Sequence, residues 1–202
     1  MRQIRKSLFE TNSSSTHAIC VHKDSTTEDW DHYFSLWTHD TCFGRQDSLV
    51  DQVPDKIAYV YIMVKMISQH LGDGGEEIFL NNLYNIFQKH YDIDEFKKAQ
   101  SPKQILIDFL GDIADEYNAG RAGIDHVQAF EDNGLYERIK TDKDFLERLI
   151  FDENSYITTG SDESRGYNFK KIGFEYDYEN HEDFWKKVED LKRNFEIYLK
   201  GN

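Results

Sequence analysis

The chain has 202 residues, with 38 acidic against 24 basic side chains, and its net charge of −14 repels nucleic-acid backbones and anionic lipid at long range. Charged residues reach 31%, but 14 Phe and 12 Tyr supply enough large buried rings to separate it from disordered acidic chains. No apolar run approaches membrane-spanning length, the basic N-terminus lacks a signal-peptide core, and two cysteines make no disulfide framework; a reducing cytoplasm is expected.

Residues 2–22 read as two extended segments around a polar turn, residues 11–16, which holds only Ser, Thr and Asn. Ile4 and Leu8 fall on one face, Ile19 and Val21 on another, with the period of a strand. Residues 24–52 are polar but studded with Trp30, Tyr33, Phe34, Trp37 and Phe43, which predicts a short helix and irregular structure anchored by rings. Pro54 and Asp55 open an apolar run to Leu71 without sharp amphipathicity, a buried helix that the glycines at 72, 74 and 75 stop.

Residues 76–90 carry Phe79, Leu83, Ile86 and Phe87 at helical spacing. Ser101 followed by Pro102 is a helix start, with serine as N-cap and proline in the first turn, and Ala119 with Gly120 marks the end. Thr141 and Asp142 cap a further helix through Phe145 and Leu149. Residues 155–159 have strand composition, a polar loop follows at 160–166, and residues 167–178 alternate again. Residues 181–200, with Phe184, Trp185, Val188, Leu191, Phe195 and Tyr198, read as a C-terminal helix.

These elements predict one α+β domain over residues 1–202. A small antiparallel or mixed sheet from N-terminal and late strands packs with a central multi-helix layer (about 55–150) and the C-terminal helix.

The turn at residues 11–16 is the candidate site. Ser, Thr and Asn side chains bond to nearby backbone amides, which suits a tight turn; the same geometry can aim backbone N–H groups outward as an anion nest. Arg5 and Lys6 bring positive charge to an otherwise acidic chain, and His17 is of the residue type used for proton exchange near neutral pH.

Residues 5–17, from Arg5-Lys6-Ser7 through Phe9-Glu10-Thr11-Asn12-Ser13-Ser14-Ser15 to His17, resemble the N-terminal signature of uncharacterised proteins from phages and their mainly Gram-positive hosts. Some of those carry a later strand and loop similar to residues 155–163. The resemblance implies a phage or mobile-element origin and a shared site; it implies no reaction.

The expected function is binding of a phosphate-bearing ligand, a nucleotide or similar. Arg5, Lys6, Asn12, Ser13, Ser15, Asp162 and Glu163 are the binding groups, and His17, Ser14 and Glu10 are the candidates for proton transfer or nucleophilic chemistry. The two late carboxylates would complete the site or hold a divalent cation. Whether turnover follows is left open.

The alternative is an acidic interaction protein that inhibits a basic host defence factor, with the turn purely structural. The pairs His17/Cys20 and His39/Cys42 suggest four zinc ligands by type, but residues three apart in a strand face opposite ways, so no metal site is assigned.

Overall fold

The computed structural model describes residues 16–24, 36–38, 41–44, 48–90, 101–124, 127, 129–160 and 181–200. The fold is α+β. Four strands, β1 (Thr16–His22), β3 (Ser48–Val50), β5 (Tyr156–Gly160) and β6 (Phe195–Lys200), form an antiparallel sheet in the order β3-β5-β1-β6. A second ribbon pairs β2 (Cys42–Phe43) with β4 (Gly123–Ile124) in parallel.

Strand alternation gives β1 two different faces. Ile19 and Val21 join Ile157 and Val50 in the main core beneath the helices. Ala18 and Cys20 pack with Tyr156 and Phe195 against Val188 of α7 (His181–Leu191), a smaller core on the other side. The central strand is thus buried on both faces, which explains its run of apolar residues from Ala18 to Val21.

Helix α1 (Val53–Leu71) is the axis of the main core: most of its residues are buried, as its unbroken apolar sequence requires. It stops where Gly72 takes a left-handed φ of 66° and donates its N–H to Ser68. Against it lie α2 (Gly75–His90) and α3 (Pro102–Asn118). The Ser101 side chain accepts the N–H of Gln104, a cap worth about 1 kcal/mol. Short helices α4 (Ala129–Asp132), α5 (Leu135–Thr141) and α6 (Lys143–Phe151) return the chain to the sheet; Asp142 caps α6 by accepting from Phe145 N–H.

A buried charge fixes the helical layer to the sheet. The Lys56 ammonium, fully buried, donates to the carbonyls of Asp152 at 2.8 Å and Ser155 at 3.0 Å. These carbonyls stand between the C-terminal end of α6 and the start of β5, where the helix dipole favours a cation. On the far edge, Arg138 and Arg148 both reach Glu196 of β6, and Arg138 also donates to the Tyr198 hydroxyl at 2.8 Å.

Two expectations are corrected. The C-terminal helix does not run to residue 200: it ends at Leu191, and residues 195–200 form β6. Phe195 and Tyr198 are three apart, which mimics a helical stripe, but Phe195, Ile197 and Leu199 also alternate, and pairing with β1 satisfies that period. The segment 24–52, expected as a short helix with irregular structure, contains two short strands, β2 and β3, in its described part. The first extended N-terminal segment and the strand expected within 167–178 lie outside the described residues.

Candidate functional site at one end of the sheet

A row of polar side chains crosses the sheet at the end where β1 begins and β5 finishes. Register pairs Ser48 with Thr159 and Thr159 with His17, so all three side chains share the helix-facing side. The Ser48 and Thr159 hydroxyls are 2.7 Å apart. His17 and Thr159 are buried. One step further along, Thr16 pairs with Gly160, the last described residues on those two strands.

Helix α1 supplies the partner for His17. The Tyr59 hydroxyl lies 2.9 Å from His17 Nδ1, and both side chains are fully buried. The imidazole also meets the Phe130 ring edge-on at a centroid distance of 6.2 Å, while Phe43 packs edge-on to Tyr59 at 4.9 Å. Burial pushes the Tyr59 phenol well above its ordinary value, so it is neutral and acts as a hydrogen-bond partner. Which of the two groups donates follows from the imidazole tautomer. Either way the ring plane of His17 is set from behind by α1.

This geometry makes His17 a fixed group in the floor of the sheet end. The phenol occupies Nδ1 and fixes the orientation of the imidazole. Of the other expected site residues, Arg5, Lys6, Glu10, Asn12, Ser13, Ser14, Ser15, Asp162 and Glu163 lie outside the described residues. Their points of attachment are described: residue 15 is bonded to Thr16 and residue 161 to Gly160, and those two are register partners.

Cys20 takes no part in this site. It faces the α7 side, opposite to His17, so these two cannot ligate one metal ion. Burial pushes its thiol up to about 12, against a lowering contribution from Tyr156, which removes it as a nucleophile near neutral pH. His39, from the other His/Cys pair, lies outside the described residues. Cys42 directs its Sγ to the Arg121 carbonyl at 2.6 Å. Among the described residues no group of three or more His, Cys, Asp or Glu is placed to hold a metal ion, and no helix is long and apolar enough to cross a membrane.

Tyr59, Thr159 and Ser48 were not singled out by the sequence. The usable signal was Tyr59 itself, since a phenol in an otherwise apolar buried helix needs a polar partner. Nothing in the sequence named His17 as that partner across 42 residues.

No protein-family model matches the chain, and searches among curated proteins and solved structures return no significant match.

Proposed function

We propose that this protein binds a phosphate-bearing ligand, a nucleotide or a similar anion, at the sheet end beside Thr16 and Gly160, and that it acts in the cytoplasm. Arg5 and Lys6 attract the anion, and the backbone and side chains of Asn12, Ser13 and Ser15 cradle it. Asp162 and Glu163 complete the site directly or through a divalent cation. His17, oriented by Tyr59, is the group assigned to proton exchange, with Ser14 and Glu10 beside it. The resemblance of residues 5–17 to phage and Gram-positive proteins supports a phage or mobile-element origin.

The observation that carries this reading is the pairing of Thr16 with Gly160. Directly opposed residues in antiparallel strands have Cα atoms about 5 Å apart, and Thr16 and Gly160 are the described residues that adjoin the serine-rich segment and the loop with Asp162 and Glu163. That pairing supports one shared site.

The test is a thermal-shift screen with nucleotides and inorganic phosphate, with and without magnesium. A ligand selective for the native state raises Tm by mass action, with about 2.7 kcal/mol of stabilisation at a hundredfold excess over Kd. The reading requires at least one phosphate-bearing compound to raise Tm. A blank panel removes it and favours the acidic interaction protein.

A further inference from the structure

We propose a second site, independent of the sheet end: the cavity between α3 and residues 36–38 and 41 binds an alkylguanidinium group, the chemistry of an arginine side chain. The cavity has a volume of about 270 Å³, and Trp37, Thr38, Thr41, Phe109, Asp112 and Glu116 contribute to its walls. No lining residue belongs to the four-stranded sheet.

Three features specify the ligand. Trp37, in the cavity wall, is 64% exposed, an unusual placement for the largest aromatic side chain, and indole is the side-chain ring that attracts cations best. Asp112 is exposed and, among the described residues, has neither an ion-pair nor a hydrogen-bond partner. The cavity wall already binds one guanidinium: Glu116 takes Arg121 in a two-point contact, with Nε at 2.7 Å and Nη2 at 3.0 Å.

Charge placement on α3 argues the same way. The negative end of a helix dipole disfavours carboxylates, yet Asp112, Asp115 and Glu116 lie in its last two turns, with no basic residue in the final turn. Arg121 neutralises Glu116 and leaves Asp112 uncompensated. A bound cation would remove that cost. Guanidinium suits the cavity better than ammonium because its plane stacks on indole and its paired N–H groups match a carboxylate. The buried Phe109 would receive the methylene stem.

The experiment titrates the whole protein with N-acetylarginine methylamide and follows the Trp37 indole N–H resonance, assigned by its loss in Trp37→Phe. The expected result is a saturable shift, with Asp112→Asn weakening affinity at least ~5-fold, the loss of one charged partner. The citrulline analogue, of the same shape without charge, should give no shift. A short arginine-containing peptide that binds about tenfold tighter than the single residue identifies a protein partner's side chain; equal binding identifies a small guanidine, and either supports the site. No saturable shift up to about 20 mM, equal binding of the citrulline analogue, or unchanged affinity in Asp112→Asn overturns it. Because Asp112 and Trp37 lie outside the sheet, a blank nucleotide screen has no bearing on this result.

Discussion

The Tyr59 hydroxyl and His17 Nδ1 stand 2.9 Å apart, both fully buried, and join α1 to the first residues of the central strand. Tyr59→Phe keeps the ring and its contact with Phe43 and removes only the hydroxyl. Taking one partner from a buried hydrogen bond costs about 1–3 kcal/mol. Urea unfolding should show a lower midpoint with an unchanged slope. An unchanged midpoint would mean that this hydrogen bond adds no net stability.

Substitutions in the serine-rich turn should separate from that result. Ser13→Ala with Ser14→Ala should abolish the ligand-dependent rise in Tm and move the unliganded stability by less than about 0.5 kcal/mol per site. A fall in unliganded stability comparable with that of Tyr59→Phe would instead assign the turn a structural role.

The turn between α1 and α2 offers a steric test. A Cβ at Gly75 would come within 1.9 Å of the Tyr136 hydroxyl and 2.8 Å of Lys140 Cδ. Gly75→Ala should therefore destabilise by about 1–3 kcal/mol, as overpacking does. Adding Tyr136→Phe should recover part of that loss, which a double-mutant cycle would record as coupling between the two positions.

Asp73 in the same turn predicts an acid dependence. Burial raises its carboxyl, but hydrogen bonds from Lys140 at 2.9 Å, Tyr136 at 2.7 Å and the Gly75 N–H at 2.9 Å outweigh this and hold it well below its ordinary 3.8. A carboxyl lower in the folded than in the unfolded state stabilises the fold above the unfolded value. That stability is lost as pH falls from about 4 towards the depressed folded value. Asp73→Asn should lower stability at neutral pH and flatten its decline between about pH 5 and 3. Parallel curves for the two proteins would contradict the assignment.

The two cysteines should differ in reactivity. Cys20 is fully buried with its thiol pushed up to about 12, whereas Cys42 is only half-buried. A thiol reagent at neutral pH should label one cysteine per native chain, Cys42, and reach Cys20 only on unfolding. Rapid loss of both thiols in the native state would show that the sheet opens at β1.

The helix ends are legible in the sequence because local chemistry decides them. Ser101 with Pro102, Asp142 as a cap and Gly72 as a stop each act within one helical turn, and each helix end stands where those residues placed it. Residues 195–200 are ambiguous in the sequence, because their apolar spacing satisfies two periods at once. A helix and a strand were both consistent with Phe195 and Tyr198; the unpaired edge of β1 selected the strand. The β2–β4 ribbon was missed for a related reason, since its partners lie about 80 residues apart and two-residue strands carry no periodicity.

The amino-acid sequence by itself determined that this chain folds around aromatic rings, where its main helices begin and end, and that its N-terminal polar run is bounded by basic residues and a histidine. These properties depend on composition and on contacts within a few residues. Only the tertiary structure decided that His17 is buried against Tyr59, that Cys20 faces away from it, and that Thr16 and Gly160 lie side by side. Those relationships arise from strand register and helix docking between segments 42 to 144 residues apart. No local pattern encodes which distant residue will complete a buried hydrogen bond.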